Sequence, residues 1–125
     1  MAVSAAVKAE VESGTLESLS PEQVLQWALK TFGSKVALAS SFGAEDVAII
    51  DLLMKIDPKA RVFTLDTGRL NQETYDVMDK IRAKYTLTIE IMFPQTAATE
   101  KMVREKGLNL FYHSLENRKL CCGIR

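Results

Sequence analysis

Cysteine is nearly absent from this sequence: the only two, Cys121 and Cys122, stand side by side. Neighbouring cysteines rarely pair with each other without strain, so a disulfide framework is excluded and reduced thiols fit a reducing compartment. Histidine occurs once, at His113 between Tyr112 and Ser114; no motif makes it a catalytic base, and it reads as a surface or helix-entry residue. Long apolar runs are also missing. No stretch approaches the roughly 20 apolar residues that a bilayer-crossing helix needs. The N-terminus carries Lys8, Glu10 and Glu12 and no continuous apolar core, so it does not read as a signal peptide, and a cytoplasmic protein with no membrane partner is expected. Charge of one sign is not in excess either. Sixteen basic residues balance sixteen acidic ones, so no global field draws nucleic acid or an anionic surface.

What is present is an ordinary globular composition, 47% hydrophobic and 26% charged over 125 residues, the length of one domain with a real core. Residues 1–19 are small, polar and weakly patterned, and read as a loose arm with at most a short helix. The domain proper is expected over residues 20–125. Ser20-Pro21-Glu22 supplies an N-cap, a proline at the first helical position and an acid in the first turn. Val24, Leu25, Ala28 and Leu29 follow at helical spacing, with Gly33 as the stop. Lys35 to Ser40 is a short apolar run of the kind buried in a parallel sheet. Further helices are expected over 44–56, 71–85 and 96–106, and further strands over 61–65 and 86–93. Leu108 to Arg125 reads as a loop leading into a helix that carries the cysteines. Strand and helix alternate with short connections, which requires parallel strands and right-handed crossovers. The fold class is therefore α/β, a doubly wound parallel sheet with three strands present and room for others past Arg125.

Ligands of such sheets bind outside the carboxyl ends of the strands. Two loops there are unusual. Ser40-Ser41-Phe42-Gly43-Ala44-Glu45 follows the first strand and opens a helix, so hydroxyls and backbone N–H groups collect at a helix N-terminus, which favours a phosphate. A serine-capped helix start with a glycine turn accounts for the same residues. The loop matches neither G-x-x-x-x-G-K-[ST] nor G-x-G-x-x-G. Leu65-Asp66-Thr67-Gly68-Arg69 follows the second strand. Turn chemistry explains every residue but Arg69, and an exposed arginine there can pair bidentately with a phosphate or sulfate.

Together SSFGAEDV, VFTLDTGRLNQETYD and GLNLFY…CCGIR resemble the assimilatory sulfonucleotide (APS/PAPS) reductases, in family order, from about Ser20 to Arg125. That resemblance implies an adenine-nucleotide α-hydrolase-like (Rossmann-like) fold, seen here as its N-terminal portion and truncated. It implies that Ser40, Ser41, Phe42, Gly43 and Glu45 form a modified phosphate-binding loop. Leu65, Asp66, Thr67, Gly68 and Arg69 would line the adenosine pocket, with backbone groups near Leu65 reading the adenine, and Arg125 would join the substrate-binding set. Tandem cysteines followed by Gly-Ile-Arg are similar to the branch that reduces adenylyl sulfate and binds a [4Fe-4S] cluster, so Cys121 and Cys122 are the expected metal ligands. Two buried or half-exposed thiols packing as small hydrophobes are the plain alternative. Lys119, Arg118 and Arg125 surround the pair, and positive charge favours thiolates.

The implied reaction is the reduction of adenylyl sulfate to sulfite and AMP in sulfate assimilation. A cysteine thiolate attacks the sulfur, leaving S-sulfocysteine and AMP, and a thioredoxin- or glutaredoxin-like dithiol releases sulfite. Here the chain departs from the pattern. A cubane cluster takes four thiolates, and the sequence has two cysteines in all; the second pair and the nucleophilic cysteine are expected beyond Arg125. No catalytic residue is therefore assigned, and the 125 residues alone are expected to be inactive. The competing readings are a reductase of the 3′-phosphorylated nucleotide (PAPS), a non-redox adenine-nucleotide-binding module, and a hydrolase with a cysteine nucleophile. A homo-oligomer is expected. Met54, Met78 and Met102 fall at core-like helical positions, and Lys101, Arg104, Glu105 and Lys106 read as a solvated helix face.

Overall fold

The computed structural model describes residues 3–125. Helix α1, Ala5–Glu12, and a 3-10 turn, Thr15–Ser18, precede α2, Pro21–Phe32; a second 3-10 turn, Gly33–Lys35, leads into β1, Ala37–Ala39. Then come α3 (Ala44–Ile56), β2 (Arg61–Leu65), α4 (Gln72–Tyr85), β3 (Ile89–Met92), α5 (Thr96–Lys106), a 3-10 turn (Leu110–Tyr112) and α6 (Leu115–Ile124). The expected arm is thus one short, solvent-exposed helix and a turn, with Met1 and Ala2 outside the described residues.

The helix starts are local chemistry. Ser20 Oγ accepts from the Gln23 amide while Gln23 Oε1 accepts from the Ser20 amide, a complete capping box with Pro21 behind it. Ser114 caps α6 through its side chain alone, accepting from the Asn117 amide at 3.1 Å. The strands are shorter than the apolar runs suggest. Thr86 sits at φ 52° as the left-handed end of α4, so β3 begins only at Ile89, where it can pair with Val62. Lys35 closes a 3-10 turn, Gly33–Lys35, rather than starting β1.

The three strands are parallel and lie in chain order, β1-β2-β3. Register sets Leu38 beside Val62 and Val62 beside Ile89, one row on one face. Against that face pack Ile50, Leu53 and Met54 of α3 and Met78 and Ile81 of α4, with Leu25 and Leu29 of α2 at its margin. Both crossover helices therefore cover the same face, giving one wing of the α/β, Rossmann-like sheet expected. The opposite row, Ala39 beside Phe63 and Leu65 beside Met92, is left open to water: Leu65 is 61% and Met92 48% exposed. Arg61 crosses this open side to hold Glu90 with two hydrogen bonds, 2.6 and 2.8 Å, and raises its grip with a third to the Ser34 carbonyl. A second, smaller core joins Met102, Leu110 and Cys121, with Val103, Phe111 and Ile124 around them. Met54, Met78 and Met102 are all buried, whereas Lys101, Arg104, Glu105 and Lys106 face solvent.

Candidate functional site

Because β1 and β2 are parallel neighbours, the loops that leave their carboxyl ends emerge at the same rim. Backbone pairing ties the start of each loop to the next strand: the Ser40 amide donates to the Phe63 carbonyl at 2.9 Å, and the Asp66 amide to the Met92 carbonyl at 2.9 Å. A cleft of about 510 Å³ opens there, lined by Ala39, Ser40, Ser41, Asp46, Phe63, Thr64, Leu65 and Leu70. A second of about 680 Å³ lies beyond Leu65, which walls both. It is bounded by Thr67, Arg69, Phe111, Arg118, both cysteines and Arg125. Three arginines and no carboxylate line it, so it is the more anion-attracting of the two.

The first loop is built from its own side chains. Ser40 is buried and its Oγ accepts from the Phe42 amide at 3.1 Å. Phe42 takes φ 62° with its ring buried against the main core. A bulky residue in the left-handed region costs about 1–3 kcal/mol and persists only where the surroundings hold it; here the buried ring does so. Ser41 is exposed, and both its amide (2.5 Å) and its hydroxyl (2.8 Å) donate to Asp46 Oδ2. Those bonds, the backbone one foremost, hold the Asp46 carboxyl below the usual carboxylate range. Asp46 is the residue that reading the sequence passed over. It occupies the very donors that a phosphate would use, and an acid in the first turn of α3 was the signal that could have pointed to it.

The second loop is an Asx-type turn. Asp66 is buried, and its Oδ1 accepts from the Gly68 amide at 2.7 Å and from the Tyr75 hydroxyl at 3.0 Å. Desolvation, then the bond to Asp66, raises the Tyr75 phenol above its ordinary range. Thr67 Oγ1 accepts from the Arg69 amide at 3.2 Å. Arg69 itself is engaged: Nη1 donates to the Leu108 carbonyl at 2.7 Å and Nη2 to Asn109 Oδ1 at 3.1 Å. Arg125 Nη1 donates to the Thr67 carbonyl at 2.5 Å.

Of the residues singled out, Ser40, Ser41, Leu65, Thr67, Arg69, Cys121, Cys122 and Arg125 line one cleft or the other. Phe42 points into the core, while Gly43, Glu45, Asp66 and Gly68 shape the loops without lining either cleft. Cys121 is buried and Cys122 exposed, one turn from the end of α6. Their sulfurs face different surroundings, and among the described residues no three His, Cys, Asp or Glu side chains gather to hold a metal. Two thiols do not by themselves complete a four-thiolate cluster site. His113 is exposed and lies in neither cleft.

A parallel α/β sheet with its clefts at the carboxyl rim is the architecture of nucleotide-binding proteins. Residues 35–125 match the family described as phosphoadenosine phosphosulfate reductase domain, and the chain belongs to that family. It is 43% identical over 120 residues to a probable chloroplastic 5′-adenylylsulfate reductase 1 of Oryza sativa subsp. japonica, covering 96% of this chain and 25% of the relative. It is 39% identical over 113 residues to an adenosine 5′-phosphosulfate reductase of Pseudomonas aeruginosa (strain LESB58), covering 90% of this chain and 41% of that one. A crystal structure of phosphoadenylyl-sulfate (PAPS) reductase from Candida auris, in a phosphate complex, superposes with a TM-score of 0.78 at 27% identity over 99% of this chain and 59% of that chain. The chain thus spans well under half the length of these curated relatives. No helix among the described residues is long and apolar enough to cross a membrane.

Proposed function

We propose that this chain supplies the nucleotide-binding part of a thioredoxin-dependent adenylyl-sulfate reductase. One observation carries the reading: the serine loop and the Asp66–Arg69 turn open onto two clefts that meet at Leu65, and the second contains both cysteines among arginines. An adenosine laid across Leu65 places its phosphosulfate either at Ser41, where it would take the donors that Asp46 holds, or beside Arg118 and Arg125. Backbone groups of the Leu65–Arg69 turn serve the base, and Asp66 and Gly68 fix their direction. The relatives named above as adenylyl-sulfate reductases support that substrate.

Cys121 and Cys122 are proposed as two of the four thiolates of a [4Fe-4S] cluster, with the other two and the nucleophilic cysteine supplied from outside these 125 residues. The chain's own contribution is to hold the pair at the cleft wall under positive charge. Thioredoxin or a glutaredoxin-like dithiol as donor, a homo-oligomer and a cytoplasmic setting belong to the same proposal. Reduction of the 3′-phosphorylated nucleotide is the second reading, favoured by the phosphoadenosine phosphosulfate reductase family match and by the Candida auris neighbour.

Titration of the ¹⁵N-labelled chain with AMP, adenylyl sulfate and the 3′-phosphorylated analogue tests the reading. Shifts confined to Ser41, Leu65, Thr67 and their neighbours, larger for adenylyl sulfate, are expected, with no sulfite released on adding reduced thioredoxin. Absence of any shift at those amides with all three nucleotides sinks the assignment. A stronger response to the 3′-phosphorylated form moves it to the second reading.

A further inference from the structure

We infer that Arg69 and Arg125 form a two-armed clasp that links occupancy of the Leu65–Arg69 turn to the burial of Cys121. The inference rests on reading that turn as a nucleotide-binding element. Both arms meet at one turn, Arg69 as its last residue and Arg125 from the far end of α6. Arg69 reaches out of it to the Leu108 carbonyl and to Asn109 Oδ1, with its guanidinium 4.7 Å above the Phe111 ring centre. Arg125 reaches back from the end of α6 to the Thr67 carbonyl. These bonds close chain separations of 39, 40 and 58 residues. Phe111, the ring under Arg69, packs against the small core of Met102, Leu110 and Cys121, so the Arg69 arm ends beside the elements that bury Cys121 and the Arg125 arm starts from the helix that carries it.

Two details mark the clasp as built into the fold. Gly68 has φ 74°, and a Cβ there would stand 3.4 Å from Arg125 Nη1; glycine both permits the turn and leaves room for the guanidinium. Arg125 Nε is buried with no hydrogen-bond partner, a desolvation cost that the guanidinium tolerates in order to lie where it does. Charge-assisted bonds of this kind are about twice as strong as neutral ones. Any ligand that orders the turn therefore also holds α6 in its packed position, and the linkage is reciprocal. On this account Arg69 is a positioning residue, and of the three cleft arginines Arg118 alone makes no side-chain hydrogen bond among the described residues.

The test is thiol modification of the 125-residue chain by 5,5′-dithiobis(2-nitrobenzoate), which should give a fast phase for exposed Cys122 and a slow one for buried Cys121. Arg69→Gln and Arg125→Gln are expected to speed the slow phase roughly tenfold, as local opening becomes easier, with the fast phase and far-ultraviolet circular dichroism unchanged. Should a variant fail to fold, Arg69→Lys and Arg125→Lys, which keep the charge and lose the planar fork, give the same readout. An unaltered slow phase in every folded variant overturns the clasp. In a second arm, saturating AMP is expected to slow the Cys121 phase of the natural sequence several-fold and to lose that effect in Arg69→Gln. AMP that binds, by amide shifts, yet leaves the slow phase untouched overturns the linkage. AMP that does not bind at all overturns the nucleotide reading instead, while the variant arm still decides the clasp.

Discussion

Tyr75 donates its phenolic hydrogen to Asp66 Oδ1 at 3.0 Å, and the same oxygen receives the Gly68 amide at 2.7 Å. A helix α4 side chain thus sets the conformation of the loop that leaves β2. The turn's direction is fixed from below, by a residue that lines neither cleft.

Removing that support has a defined cost. Tyr75→Phe takes one partner from a buried carboxylate, and a hydrogen bond to a charged group contributes about 1.5–3 kcal/mol. Urea unfolding is expected to show a loss in that range, with the amides of Thr67 and Gly68 broadened in the spectrum of the folded variant. An unchanged midpoint would mean that the Gly68 amide alone holds Asp66.

Asp46 predicts a pH dependence. Its folded carboxyl is held below its unfolded value of 3.8 by the Ser41 amide and then the Ser41 hydroxyl, so the native state binds fewer protons than the unfolded one. Its contribution is complete above the unfolded value and disappears as pH falls through the lower, folded one. Glu90, held down by Arg61, acts in the same direction. Stability measured by urea between pH 6 and pH 2.5 should therefore decline more steeply for the natural sequence than for Asp46→Asn. Parallel curves would contradict the assignment.

Phe42 separates strain from burial. Phe42→Ala loses the ring from the core, a change of about 3–5 kcal/mol, and keeps a side chain at φ 62°. Phe42→Gly loses the same ring but relieves the backbone, by about 1 kcal/mol. The glycine variant is expected to be the more stable of the two in thermal melts, against the usual order for a buried site.

Gly68→Ala offers a matching contrast on the second loop. The left-handed backbone at φ 74° and the guanidinium 3.4 Å from the new methyl both oppose it, and about 1 kcal/mol or more of destabilisation follows from the backbone alone. Pairing it with Arg125→Gln in a double-mutant cycle should give a loss smaller than the sum of the two single losses, since the neighbour at 3.4 Å has then been shortened.

Much of this architecture is legible in the residues themselves. The capping box at Ser20 and the apolar run of α3 mark their elements without tertiary help, and the rule that parallel strands deliver their exit loops to one rim locates the clefts. What local pattern cannot show is the fate of donors and charges once the chain folds. Arg69 reads as an exposed anion ligand because its partners, Leu108 and Asn109, lie some forty positions away. Ser41 reads as free because the bond from Asp46 returns through the start of a helix. The ends of β3 escaped for a similar reason: Thr86 lies in an apolar, β-branched run, yet closing α4 demands a left-handed residue there. The adjacency of the cysteines leaves their exposure open, and only packing makes one a core residue and the other a surface thiol.

The exposed pair of Leu65 and Met92, beside half-buried Phe63, has a colloidal consequence. Parallel sheets ordinarily carry a layer on both sides, and a strip of this kind in contact with water favours association between molecules as concentration rises. The isolated chain should therefore bind a hydrophobic dye while still natively folded, and its solubility should improve when Leu65 and Met92 are replaced by threonine, with no gain in unfolding free energy.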